Sequence, residues 1–141
     1  MRVEWLILAD YTEIIGGKLY LMGGGWDVLT VSTSFPLARA VGIAAAFSVA
    51  WNETNQRHNV EIEIQTDDGQ SVGKVGAQFE VGRPPGIKAG QEQRFQLAAN
   101  VPLNLTGPGT YVIVARVEGQ EEGRVPFNVN AGPVLQARGV T

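Results

Sequence analysis

The sequence of 141 residues contains no cysteine and a single histidine, His58. The lack of cysteine excludes disulfide bonds, thiolate catalysis and zinc sites built on sulfur. Oxygen-ligated metal sites need clustered carboxylates, and turn chemistry accounts for the best candidate pair, Asp67 and Asp68. We therefore expect no metal and no organic cofactor.

Charge is also scarce, and long hydrophobic runs are missing. Charged residues make up 18% of the chain and the net charge is −3, whereas a nucleic-acid binder needs clustered Lys and Arg. The apolar run 5–9 is too short for a signal peptide or for the ~18 residues of a membrane span. The sequence predicts a cytoplasmic protein that binds neither nucleic acid nor membrane.

Glycine is abundant, at 18 of 141 residues, and hydrophobic residues alternate with polar ones along most of the chain. This period of two indicates short strands joined by turns. The pattern predicts a single-domain antiparallel β-sandwich of immunoglobulin-like type, with a partly closed β-barrel or a jelly roll as the alternative. We expect about nine strands, near residues 3–9, 18–23, 26–32, 40–50, 60–65, 74–81, 93–101, 111–117 and 125–129.

Local signals refine this prediction. The sequence Asp-Asp-Gly-Gln at 67–70 is typical of a tight hairpin turn. Pro126 cannot donate a hydrogen bond within a sheet, so the last strand is expected at an edge. Tyr111 follows a Pro-Gly turn at a strand start, as the tyrosine of a tyrosine corner does in immunoglobulin-like sandwiches. A short helical turn at 10–14 is possible but not required.

The segment from Gly17 to Asp27 carries the sequence GKLYLMGGGWD. It resembles a family of small bacterial proteins with a GKLY-x-MGGGWD signature, and Trp51, Glu53–Asn55 and the GRPPG sequence at 82–86 also match that family. The resemblance spans most of residues 1–129. It implies a bacterial, cytoplasmic, all-β protein of uncharacterised function, and it supplies no catalytic residues.

Two features could be read as catalytic. The glycines at 23–25 suggest a phosphate-binding loop, but such a loop needs a helix after it, and the sequence continues as a strand from Trp26. A bulge or tight connection explains them better. His58 would have to serve any Ser-His-Asp arrangement, yet no nucleophile-elbow sequence accompanies it. We therefore expect a protein that is not an enzyme.

Aromatic and polar residues in the loops are the best candidates for binding a ligand or a protein partner, because loops on rigid β scaffolds carry function and Trp and Arg are frequent at binding sites. Trp51 also continues the core face of its strand, so at least one tryptophan is expected in the core. The predicted binding residues are Trp26, Asp27, Glu53, Asn55 and Arg83.

The strand at 40–50 is apolar on both faces, and small residues occupy its even positions. Such a strand belongs to a sheet that is covered on both sides. The cover could be the segment 131–141, a loop such as 82–92, or a second copy of the chain. We favour a second copy, and so a structural or scaffolding protein that self-associates; a tail at 131–141 would dock on the 1–130 domain or on a neighbouring copy. The predicted self-association face comprises Gly42, Ala44, Ala46 and Ser48.

Overall fold

Nine strands account for most of residues 1–133, the part of the chain that the computed structural model describes. They are β1 (Arg2–Ile15), β2 (Lys18–Gly24), β3 (Val28–Val31), β4 (Leu37–Val49), β5 (Arg57–Thr66), β6 (Ser71–Glu80), β7 (Gln93–Leu105), β8 (Gly109–Val117) and β9 (Gln120–Ala131). Strands β2, β1, β4 and β7 form a four-stranded sheet in that order, and β3, β9, β8, β5 and β6 form a five-stranded sheet. The predicted all-β sandwich of about nine strands is confirmed.

Alternation of apolar and polar residues produces the five-stranded sheet. In β5 the side chains of Val60, Ile62 and Ile64 are buried, whereas the residues between them face outward. Strand β5 pairs antiparallel with β6 through the predicted hairpin turn, in which Gly69 has φ of 88°. A positive φ favours glycine because glycine has no Cβ. The glycine of the turn sequence therefore allows the chain to reverse direction between β5 and β6.

The hydrophobic core lies between the two sheets and includes the fully buried Phe47 and Phe127. At one side of the sandwich β6 and β7 approach each other, and the rings of Phe79 and Phe95 stack with their centroids 3.7 Å apart. A Cβ on Gly73 would lie 2.7 Å from the Leu103 side chain. Glycine at this position therefore permits the close contact between the sheets.

Strand β1 pairs with β4 only over its first half. Residues 2–9 pair with β4, ending with Ala9 opposite Gly42. Beyond Ala9 the strand continues to Ile15 and pairs only with β2. The possible helical turn at 10–14 is therefore wrong, because these residues are β-strand. We refer to residues 10–24 as the β1–β2 ribbon.

The ribbon crosses the outer side of the four-stranded sheet. A Cβ on Gly42 would lie 2.9 Å from the backbone carbon of Tyr11, so the ribbon backbone passes directly over this glycine. The Asn100 side chain accepts a hydrogen bond from the Thr12 N–H at 3.1 Å and donates one to the Thr12 carbonyl at 3.0 Å. Gln96 donates a further hydrogen bond to the carbonyl of Gly17 at 3.1 Å. These contacts attach the ribbon to β7.

The predicted self-association face is not open to a partner. Gly42, Ala44, Ala46 and Ser48 are all buried within the chain, and both alanines are 0% exposed. The ribbon covers Gly42, the residues of β1 opposite the alanines are Ile7 and Trp5, and Ser48 donates a hydrogen bond to Glu92. The prediction of a self-association face at these four residues is wrong, because the chain supplies its own cover. The ribbon provides this cover at Gly42, and Glu92 of the loop at 82–92 provides it at Ser48.

The last strands meet the predictions in part. Residues 128–131 at the end of β9 pair with β3 and so lie inside the sheet. Pro126 lies in the part of β9 that, among the described residues, pairs only with β8. The Tyr111 hydroxyl donates a hydrogen bond to the Gly107 carbonyl at 2.7 Å, the contact expected of a tyrosine corner. The immunoglobulin-like assignment itself stays a prediction. The docking predicted for 131–141 falls, beyond Pro133, outside the described residues.

Candidate functional site

Three of the five predicted binding residues lie together at one end of the sandwich. The guanidinium of Arg83 lies 3.7 Å from the centroid of the Trp51 ring and donates hydrogen bonds to the Trp51 carbonyl and to the Thr54 hydroxyl. Asn55 follows with φ of 59°, and its N–H bonds to the carbonyl of Val81. Trp51 begins a 3₁₀ turn instead of continuing the face of β4. We call residues 50–58 together with Arg83 the loop cluster.

Glu53 and His58 fasten the loop cluster to the rest of the domain. The Glu53 carboxylate accepts hydrogen bonds from the α-ammonium group of Met1 at 2.7 Å and from the Ala50 N–H at 2.9 Å. The His58 side chain is buried, with Nε2 2.7 Å from the Glu53 carbonyl and Nδ1 3.0 Å from the Glu118 carboxylate. Both ring nitrogens of His58 thus have a hydrogen-bond partner within the chain.

These contacts shift the pKa values of the two carboxylates. Burial raises the pKa of Glu53, but the hydrogen bonds from Met1 and Ala50 outweigh it and leave the pKa below its usual value. The hydrogen bond from His58 lowers the pKa of Glu118. Both side chains are therefore held as carboxylates that anchor neighbouring groups.

An open groove of 470 Å³ runs beside this histidine. Its walls include Glu53, His58, Glu118 and Glu122, and they carry no hydroxyl or thiol that could act as a nucleophile. Glu53 and both ring nitrogens of His58 are already engaged with groups of the chain. The loop cluster thus has the chemistry of a structural anchor.

Trp26 and Asp27 lie away from the loop cluster. Trp26 packs edge-on against Phe127, with ring centroids 6.2 Å apart, and Phe127 in turn stacks on Tyr111 at the start of β8. The His58 partner Glu118 follows the other end of β8. The predicted five-residue binding site is therefore divided between opposite ends of the sandwich, since β8 separates its two parts.

The glycines before Trp26 form a tight connection. Gly23 and Gly25 have φ of 61° and 88°, and the Asp10 carboxylate occupies the space that a side chain on Gly23 would need. Strand β3 follows, without a helix that could bind phosphate. Within the described residues, the indole Nε1 of Trp26 is buried without a hydrogen-bond partner.

The exposed hydrophobic residues point to a different surface. Six large hydrophobic side chains are exposed within residues 1–133, and five of them belong to the β1–β2 ribbon. The sixth, Val28, lies on β3 and is 45% exposed. The ribbon residues are Tyr11, Ile15, Tyr20, Leu21 and Met22, with exposures from 36% to 66%. The sequence pattern did not identify β2 as an exposed apolar strand.

The register of the ribbon determines which side chains share a face. Tyr11 lies opposite Met22, and Glu13 lies opposite Tyr20. Side chains of paired residues lie on the same face of a two-stranded ribbon, so these four side chains are neighbours. The Tyr11 hydroxyl donates a hydrogen bond to Glu13 at 3.0 Å, and this bond raises the pKa of Tyr11. We call this side of the ribbon its outer face.

Within residues 1–133, no three His, Asp or Glu side chains lie close enough together to hold a metal ion. The same residues include no helix of sufficient length and hydrophobicity to cross a membrane.

Comparison with solved structures gives weak likenesses. A glycosyl hydrolase family 2 member from Bacteroides cellulosilyticus DSM 14838 is 10% identical, with a TM-score of 0.46, over 71% of this chain and 13% of that chain. Pseudomonas fluorescens alkylpurine DNA glycosylase AlkC, bound to DNA containing an abasic site analog, is 16% identical, with a TM-score of 0.36, over 74% of this chain and 28% of that chain. This chain covers less than a third of the length of each of these two proteins, and neither likeness assigns a function.

No curated protein is similar in sequence to this chain. The sequence model of a family of unknown function, DUF6941, matches residues 4–130. Since that match covers most of the sequence, the chain belongs to this family of unknown function.

Proposed function

We propose that the protein is a non-enzymatic structural module that associates with a second copy of itself through the β1–β2 ribbon. One observation carries this proposal: five of the six exposed large hydrophobic side chains in residues 1–133 lie on this one ribbon. Contiguous exposed apolar patches are uncommon on soluble monomers and mark interaction surfaces. The proposal keeps the self-association expected from the sequence and moves it to another surface.

The composition of the outer face supports a protein partner. Tyr11, Tyr20 and Met22 belong to the residue types that are enriched at protein interfaces. The hydrogen bonds that the ribbon makes with Asn100 and Gln96 hold it against the sheet, so its outer face is ordered before any partner binds. A rigid surface loses little conformational entropy on association.

The loop cluster supports the non-enzymatic part of the proposal. Arg83 contacts the Trp51 ring and two groups of the 3₁₀ turn, and both ring nitrogens of His58 face acceptors within the chain. These side chains, which would otherwise be candidates for catalysis or ligand binding, are used in folding. The bacterial and cytoplasmic setting expected from the sequence is part of the same proposal, and it rests on the family resemblance.

Light scattering coupled to size-exclusion chromatography tests the proposal at micromolar protein concentration. We expect the natural sequence to be oligomeric and Met22→Lys to shift it toward the monomer. Val28→Lys is the matched control, because it makes the same kind of change at an exposed hydrophobic residue outside the ribbon. A monomeric natural protein, or an equal effect of the two substitutions, would refute the proposal.

A further inference from the structure

The free edge of β2 is the part of the ribbon best suited to receive a second copy. We infer that β2 pairs antiparallel with β2 of the second copy, about a twofold axis at Leu21. The two ribbons then form one four-stranded sheet in the order β1, β2, β2, β1. This inference rests on the proposed self-association and specifies how it occurs.

The hydrogen bonds of Thr12 show which backbone groups of β2 are free. In an antiparallel pair the N–H and C=O of one residue point to the same side of the strand. Both groups of Thr12 bond to the Asn100 side chain, so they point away from Leu21, the residue opposite. Leu21 accordingly presents its own N–H and C=O at the other edge of the ribbon.

This edge points away from the sandwich. The backbone groups of Thr12 face the four-stranded sheet, where Asn100 lies, and those of Leu21 face the opposite way. Strand β2 is also the terminal strand in the order of its sheet. A second chain could therefore approach the edge without displacing any described element.

The edge lacks the usual protection against pairing. Natural edge strands are blocked by charged residues, by proline or by bulges. Strand β7, the edge at the other side of the same sheet, contains Arg94 and Pro102, and β6 contains Lys74 near its centre. Strand β2 has a single charge, Lys18, at its first position. The centre of its edge is entirely apolar.

A twofold axis at Leu21 gives complementary neighbours. It places Tyr20 opposite Met22 of the second copy on the outer face, and sulfur–aromatic contacts are favourable. It places Lys18 opposite the bare backbone of Gly24 of the second copy. A parallel pairing in register would instead put the two Lys18 side chains side by side, which is unfavourable.

Cysteine cross-linking tests this geometry directly, because the natural sequence contains no cysteine. In the inferred register Leu21 lies opposite Leu21, with Cα atoms about 5.5 Å apart, within the range of a disulfide. Met22 lies diagonal to Met22, about 7–8 Å away, beyond that range. We expect Leu21→Cys to form a covalent dimer under mild oxidation faster than Met22→Cys. The double variant Tyr20→Cys with Met22→Cys should also cross-link, because it places two pairs in opposition.

The outcomes separate the inference from the proposed function. A dimer in which Met22→Cys cross-links faster than Leu21→Cys would overturn edge pairing in favour of contact between outer faces, and self-association would stand. A monomeric natural protein would overturn both. Melting curves of the reduced variants establish that each is folded. A variant with a lowered melting temperature is replaced by Lys18→Cys with Gly24→Cys, another opposed pair in this register, because a Cβ on Gly24 meets only ordinary contacts of 3.4–3.5 Å.

Discussion

Replacing Gly42 by alanine tests whether the ribbon crosses β4 where the structure places it. An added Cβ would lie 2.9 Å from the Tyr11 carbonyl carbon, 3.0 Å from the Thr12 nitrogen and 3.1 Å from the Tyr11 Cα. All three are backbone atoms, so no side-chain rotation relieves the contact, and the ribbon must move away from the sheet. That movement would also lengthen the two hydrogen bonds between Thr12 and Asn100.

The expected cost follows from these distances. Overpacking of this kind destabilises by about 1–3 kcal/mol. For a domain of this size each kcal/mol lowers the melting temperature by about 3–4 °C, so Gly42→Ala should melt about 3–12 °C lower. Differential scanning calorimetry measures the change, and chemical denaturation gives the corresponding free energy of unfolding.

Gly76→Ala is the matched control. Gly76 also lies within a strand and has no positive φ, but its added Cβ would meet only the Val60 carbonyl oxygen, at 3.7 Å. This substitution should leave the melting temperature unchanged or raise it, because alanine reduces the conformational freedom of the unfolded chain. Equal melting temperatures for the two variants would refute the position of the ribbon over β4.

Two further predictions concern the covered face and the loop cluster. Ala44→Arg should lower the free energy of unfolding by more than about 2 kcal/mol, because it buries an unpaired charge. Ala40→Arg, on the exposed end of the same strand, should change the free energy of unfolding little. Urea titration measures both variants, and equal stability of the two would contradict the covered face. The hydrogen bond from His58 lowers the pKa of Glu118 below its usual 4.5, so this contact stabilises the fold above pH 4.5 and is lost as the pH falls through the lower pKa of the folded state. The melting temperature of Glu118→Gln should therefore fall less on acidification than that of the natural protein, and parallel declines would contradict this role.

The strand pattern was predictable because side-chain alternation is a local property. Strands β5 and β6 each have one face in the core and one face in water. Their sequences therefore alternate between apolar and polar residues. The turn at 67–70 was equally readable, since Gly69 has the positive φ that its position requires. The alternation of side chains along β4 gave a wrong expectation for Trp51, because β4 ends at Val49 and a 3₁₀ turn begins at Trp51.

The position of the ribbon was beyond local reasoning. The sequence showed that β4 needs a cover on its small-residue face, but the identity of the cover depends on contacts between Thr12 and Asn100, 88 residues apart. The side-chain amide of Asn100 makes the two backbone hydrogen bonds with Thr12 that a neighbouring strand would otherwise make. The alternation of apolar and polar residues carries no sign of such a contact. The separation of the predicted binding residues was beyond local reasoning too, since nothing in the sequence states that Trp26 and Arg83 lie at opposite ends of β8.

The parallel pairing of β3 with β9 determines when the five-stranded sheet can be completed. Val28 pairs with Asn128, one hundred residues later in the sequence, and Leu29 and Val31 are buried in the core beside that partner. Closing a loop of this length costs about 4 kcal/mol of chain entropy. On the ribosome, β3 emerges early but has no neighbour in its sheet until residues 128–131 have left the exit tunnel. The five-stranded sheet therefore reaches its full set of pairings only after residues 128–131 have been synthesised and have left the tunnel.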